Sequence, residues 1–99
     1  MTIQQVGLAG TMESSDIMIT LEPGTTSALE IDLDSTVEKQ YGNDIRRVIT
    51  DTLKELGIDS AKVTAVDKGA LDCAIRARVK AAAFRAANEP DSAWGGAAK

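Results

Sequence analysis

The hydrophobic pattern changes period at residue 35, and that change confines the chain to folds that mix strand and helix. Upstream, Leu29, Ile31 and Leu33 alternate with Glu30, Asp32 and Asp34, and Ile17, Ile19 and Leu21 alternate with Met18, Thr20 and Glu22. A period of two is the mark of a strand with one buried face. Downstream, Val37, Tyr41, Ile45, Val48, Ile49, Leu53 and Leu56 recur at helical spacing and form one apolar stripe. Ser35-Thr36-Val37-Glu38 reads as a capping box that opens this helix, and Gly57 as the glycine that stops it. The internal Gly42 weakens the helix without breaking it.

The remaining elements follow from the same two periods. Val6, Leu8 and Met12 share one parity, with Gly7 and Gly10 loosening the run, and predict a first strand. Glu13-Ser14-Ser15-Asp16 leaves room only for a hairpin turn, although Ser-Ser is not the preferred turn chemistry. Its tip must face water, because a buried turn strands backbone polar groups. Pro23-Gly24 separates the second and third strands. Residues 61–66 suggest a fourth strand, and Asp67-Lys68-Gly69 turns the chain into a second helix from about Ala70 to Ala87. Leu71, Ile75, Val79, Ala82 and Ala86 form the stripe expected to pack on a sheet, with Cys73, Ala77 and Phe84 opposite. Arg76, Arg78, Lys80 and Arg85 flank both and read as a solvated helix flank, with a partner-docking surface as the alternative. The expectation is an α+β fold: a two-layer sandwich of a mainly antiparallel four-stranded sheet with two helices, in the order β-β-β-α-β-α. Residues 1–88 read as one domain, and 89–99, rich in Pro, Ser, Gly and Ala with one Trp94, as a flexible tail.

Composition narrows the chemistry. The chain has 99 residues and no histidine, so the commonest general base and metal ligand are missing. Cys73 is the single cysteine, which excludes an intrachain disulfide and a thiolate zinc cluster. On a helix it reads as a small apolar residue and not a reactive thiol. The net charge of −4 argues against general phosphate-backbone binding. Residues 1–60 hold 11 acids and 4 bases, whereas residues 61–99 hold 4 acids and 7 bases. No apolar run is long enough for a membrane span and no signal segment is evident, so a cytoplasmic protein is expected. Gly7 and Gly10 lack the strand–turn–helix setting of a phosphate loop. Asp67, Lys68 and Asp72 read as helix-start capping and charge complementarity rather than a metal site. Asp32 and Asp34 read as outward residues of an edge strand. Glu13 and Asp16 read either as ordinary turn residues or as charges that keep the turn tip solvated.

Three blocks carry a family resemblance. Ala9-Gly10-Thr11-Met12-Glu13-Ser14-Ser15-Asp16 resembles the N-terminal segment of citrate lyase acyl carrier proteins, the gamma subunits of that complex. The likeness continues through Val37-Glu38-Lys39-Gln40-Tyr41-Gly42. It returns at Val66-Asp67-Lys68-Gly69-Ala70-Leu71-Asp72-Cys73 and at Arg76-Ala77-Arg78.

The resemblance implies a non-catalytic carrier. In that family a serine of the Glu-Ser segment bears 2'-(5''-phosphoribosyl)-3'-dephospho-CoA through a phosphodiester, and block alignment puts that serine at Ser14. The residues alone do not separate Ser14 from Ser15. The prosthetic thiol carries acetyl and citryl thioesters while citrate is cleaved to acetate and oxaloacetate. The implied partners are the citrate lyase alpha (acyl transferase) and beta (citryl lyase) subunits and a prosthetic-group transferase. A carrier needs no nucleophile of its own, in keeping with the composition. The Glu-Ser context between strands differs from the Asp-Ser-Leu helix start of four-helix acyl carrier proteins, so a standard phosphopantetheinyl transferase is not expected to recognise it. Two other readings stay open: the acyl carrier subunit of malonate decarboxylase, and a non-covalent protein-interaction module.

Overall fold

The computed structural model describes residues 2–25 and 27–88, and the expected tail with Trp94 lies outside the described residues. Six elements follow one another: β1 (Gly7–Ala9), β2 (Ile17–Glu22), β3 (Leu29–Ser35), α1 (Glu38–Glu55), β4 (Ala61–Asp67) and α2 (Asp72–Ala86). They form one sheet in the order β1-β2-β4-β3 with both helices packed against it. The α+β class and the element order are as the hydrophobic periods predict.

The sheet is mixed. β1 pairs antiparallel with β2, and β2 antiparallel with β4, but β3 and β4 run parallel. The cause is α1, which carries the chain back to the end of the sheet where β3 began. A strand entered after such a crossover runs parallel to the one before it. β3 is an edge strand, and Glu30, Asp32 and Asp34 all stand exposed on it, as expected of a charged edge.

The core lies between the sheet and the helices. Ile17, Ile19 and Leu21 of β2 meet Val63 and Ala65 of β4, with Ile49 and Leu53 of α1 and Ile75 and Val79 of α2 closing over them. Each aliphatic side chain fully removed from water contributes about 1.5–3 kcal/mol. α2 contacts α1, β1 and β2, so its buried surface is wider than one stripe. Phe84, expected on the far side, is therefore buried along with Ala82, Ala83 and Ala86. Leu71, expected in the stripe, is 72% exposed. It precedes the helix in an extended conformation (φ −77°, ψ 160°), off the helical spiral that aims Ile75 inward.

Two local expectations are corrected. In β1 the buried residues are Gly7 and Ala9, while Val6 and Leu8 face outward. A Cβ at Gly7 would collide with the Ala82 carbonyl oxygen and lie 2.7 Å from Ala86 Cβ, so only glycine lets β1 approach α2 this closely. The start of α1 is also shifted: the helix begins at Glu38 with Val37 as its N-cap, a residue that makes no side-chain cap hydrogen bond. Ser35 still belongs to β3, in register with Asp67. Its hydroxyl donates to Asp67 Oδ2 (2.8 Å) and accepts the Val37 N–H (3.1 Å), so a buried carboxylate claims the serine that sequence assigns to the helix. At the other end α1 stops as expected, with Gly57 at φ +75°.

Candidate functional site

Chain direction gathers three connections at one end of the sheet. The end of β1 and the start of β2 meet the C-terminal ends of β3 and β4 there, so the β1–β2 loop, the β3–α1 junction and the β4–α2 loop are neighbours. The loop leaving β1 turns at Gly10, whose φ of +101° and contact with the Ile17 carbonyl leave no space for a side chain.

Ser14 stands at the tip of this loop. The Asp16 N–H donates to the Glu13 carbonyl (3.2 Å), which makes Glu13–Asp16 a β-turn with Ser14 and Ser15 at its centre. Ser15 adopts φ +65°, a left-handed conformation that turns favour at this position and that few residues besides Gly and Asn adopt readily. Both serines are exposed. Among the described residues neither hydroxyl has an internal hydrogen-bond partner. Their backbones differ, however: the Ser15 N–H donates to the Lys68 carbonyl (2.8 Å), while the Lys68 N–H donates to the Asp16 carbonyl (2.9 Å). The turn is thus anchored to the β4–α2 loop through Ser15 and Asp16, and Ser14 is the residue that projects.

Asp16 is not a free turn charge. Its carboxylate accepts from Thr11 Oγ1 (2.6 Å), from the Ile17 N–H (2.7 Å), and from Arg78 through Nε (3.1 Å) and Nη2 (2.9 Å). The Arg78 contact is a bidentate pair whose side chains are 41% and 15% exposed for Arg78 and Asp16. Chiefly the Arg78 hydrogen bond, then those from Thr11 and Ile17, hold the Asp16 carboxyl well below the usual carboxylate range. Of the two acids expected to surround the turn with negative charge, Asp16 is therefore neutralised by Arg78, and Glu13 alone stays exposed. Arg78, expected to belong to a solvated flank, instead reaches the turn across 62 positions of sequence. No local pattern announces this pair; its only trace is that both residues fall within the family-like blocks.

Behind the turn, Asp67 organises the β4–α2 loop. It is 1% exposed and accepts from Ser35 Oγ, the Gly69 N–H (3.1 Å) and the Ala70 N–H (2.9 Å). This is the capping role the sequence suggests, but it secures the loop instead of the helix proper, which starts at Asp72. Beside it a groove of about 520 Å³ opens between α1 and the start of α2, lined by Tyr41, Ile45, Val48, Ala70 and Leu71 among others. Cys73 is exposed and unpaired by any disulfide. Among the described residues no group of three or more acids and cysteines is placed to hold a metal ion. No helix among them is long and apolar enough to cross a membrane.

This geometry suits a covalent attachment point. An exposed hydroxyl without an internal partner is open to modification. Pairing of Asp16 with Arg78 also lowers the negative potential around the turn. A family model described as malonate decarboxylase delta subunit (MdcD) matches residues 4–86. A citrate lyase acyl carrier protein of Streptococcus equi subsp. equi is 52% identical over 94 residues, covering 95% of this chain and 92% of the relative. One from Streptococcus uberis is 55% identical over the same length and coverage. Among solved structures, a chain of a Pseudomonas malonate decarboxylase hetero-tetramer in complex with malonate shares the fold, with a TM-score of 0.68. It is 20% identical, and the match covers 86% of this chain and 91% of that one. With identity above half over nearly the whole length of both chains, the chain belongs to the family of citrate lyase acyl carrier proteins.

Proposed function

We propose that this chain is the acyl carrier subunit of a citrate lyase complex, loaded at Ser14 with 2'-(5''-phosphoribosyl)-3'-dephospho-CoA. The observation that carries the reading is the turn itself: Ser14 projects from it, and the residues on its C-terminal side are tied to the body of the protein. In loading, the Ser14 Oγ attacks the phosphorus of an activated, phosphoanhydride form of the prosthetic group. The Oγ–P bond forms, the anhydride P–O bond breaks to release the phosphate leaving group, and the hydroxyl proton passes to solvent. Ser15 is the weaker candidate, because its own N–H is committed to Lys68 and its backbone is left-handed.

The attached group supplies the thiol on which acyl thioesters are carried. The protein's part is to present one oxygen and to keep the attachment outside the core. It has no catalytic group of its own and works in the cytoplasm with an acyl transferase subunit, a citryl lyase subunit and the transferase that loads it. Tethering raises the local concentration of thioester at each partner site without tight binding. The malonate decarboxylase reading is less favoured, because the relatives at about half identity are named for citrate lyase and the malonate decarboxylase chain is far more distant.

Mass spectrometry of the protein from citrate-fermenting cells tests the proposal. The expected result is one added phosphoribosyl-dephospho-CoA on the peptide holding Ser14, absent from Ser14→Ala, with Ser15→Ala still loaded. An unmodified chain from such cells overturns the carrier reading in favour of a non-covalent interaction module. Retained modification in Ser14→Ala overturns the choice of residue.

A further inference from the structure

We infer that Asp16 and Arg78 are positioning residues for the carrier serine, a carboxylate–guanidinium pair that holds the attachment turn in the conformation a loading enzyme recognises. The inference rests on Ser14 as the attachment residue.

The turn is poorly stabilised from within. Its own closing hydrogen bond is long at 3.2 Å, and Ser15 occupies a left-handed conformation that most L-residues avoid. It sits on the connection between Ala9 and Ile17, which is far longer than the two-residue hairpin loops that strands favour. External contacts must therefore select the observed conformation. Two are backbone hydrogen bonds to Lys68, and they tie the turn to another loop. The third is the Arg78 pair, which ties it to the rigid helix α2. Asp16 distributes that restraint: the same carboxylate takes the Thr11 hydroxyl before the turn and the Ile17 N–H after it. One carboxylate thus connects the entry, the exit and the helix.

The chemistry favours orientation over bulk stability. Arg78 is 41% exposed, and exposed ion pairs add little to folding free energy. Two parallel N–H···O bonds nevertheless define a direction, which a single ammonium contact does not. Removing the pair should leave the fold intact while letting the turn sample other conformations. A loading enzyme that binds only the observed conformation then meets it less often. Its apparent affinity falls by the lost fraction, whereas turnover of the bound carrier is unchanged.

The test is steady-state loading of the full chain by its prosthetic-group transferase, with amide hydrogen exchange on the same variants. Arg78→Gln should raise the KM for the carrier about tenfold with little change in kcat, as expected when about one molecule in ten keeps the competent turn. Exchange at the Ser15 amide should accelerate, while amides in the middle of β2 and β4 stay protected. Arg78→Lys, which keeps the charge but loses the bidentate geometry, should fall between. Arg76→Gln, which removes a guanidinium of the same helix paired loosely with Glu55 at 3.6 Å, should match the unaltered protein. Unchanged KM and unchanged Ser15 exchange in Arg78→Gln overturn the inference, as does a fall in kcat at constant KM. Loading that persists in Ser14→Ala is a different failure: it removes the attachment assignment and leaves the exchange measurement as the test of the pair.

Discussion

Replacing Asp67 by asparagine tests whether the loop behind the serine turn is held by charge or only by shape. The substitution preserves volume and keeps one carbonyl oxygen. It also places an NH₂ against one of the two backbone donors, because Oδ1 serves the Ala70 N–H and Oδ2 serves both Gly69 N–H and Ser35 Oγ. The serine hydroxyl can turn round and accept, but a backbone N–H cannot. Whichever way the amide sits, one part-buried donor is left unpaired, at about 1–3 kcal/mol. The opposing term is the cost of keeping a carboxylate at 1% exposure, which the neutral amide relieves. Three donors around one carboxylate offset most of that cost, so a net loss of about 2 kcal/mol is expected. Asp67→Ala leaves two backbone donors unpaired, and at the same unit cost it should lose about 4 kcal/mol. For a domain of this size each kcal/mol moves Tm by about 4–8 °C, so asparagine should melt about 8–16 °C lower. Thermal and urea unfolding followed by far-UV circular dichroism give both numbers. A Tm within about 2 °C of the unaltered protein for Asp67→Asn would refute the reasoning, because desolvation would then cancel the hydrogen bonds.

Two further outcomes follow from the geometry. The Asp16 carboxyl is held below its usual range in the folded state, so the unfolded chain takes up its proton first as pH falls. The stability advantage of the unaltered protein over Asp16→Asn should be complete above about pH 4, the range of an unfolded carboxylate, and shrink as acid is added below it. An advantage that grows on acidification contradicts the assigned pair; urea titrations at several pH values decide. Gly7→Ala puts a methyl group against the backbone of Ala82 and Ala86, with Ala86 N only 2.5 Å away, and should cost about 1–3 kcal/mol through displacement of β1. Unchanged urea stability of Gly7→Ala would mean that β1 is not seated against α2 in solution.

The sequence by itself determined the elements. Alternation over 17–22 and 29–34, helical spacing from Val37 to Leu56 and the glycine at position 57 each report a local physical constraint that the fold obeys. It also determined the family, because three separated blocks together are specific where each alone is not. The inward parity of β1 was not legible, since glycine and alanine face the core there and the larger Val6 and Leu8 face out. Hydrophobic patterning ranks residues by size, while close approach of two backbones selects for the absence of a side chain. The helix start misled for a related reason: Ser35 satisfies the local capping rule, but it remains in the parallel ladder, where the buried Asp67 beside it takes its hydroxyl.

The serine turn divides in the same way. Turn chemistry and family blocks locate Ser14 between the first two strands, and the need to solvate a turn makes it exposed. What distinguishes it from Ser15 in physical terms is tertiary. Lys68 takes the Ser15 amide, and Arg78 takes the carboxylate that sequence counts as a loose charge. Those partners lie more than fifty residues away, and only the folding of β4 and α2 against β2 brings them to the turn. Ionic and hydrogen-bond pairing depends on distances of about 3 Å in space. Sequence separation carries no information about that distance until the sheet has set it.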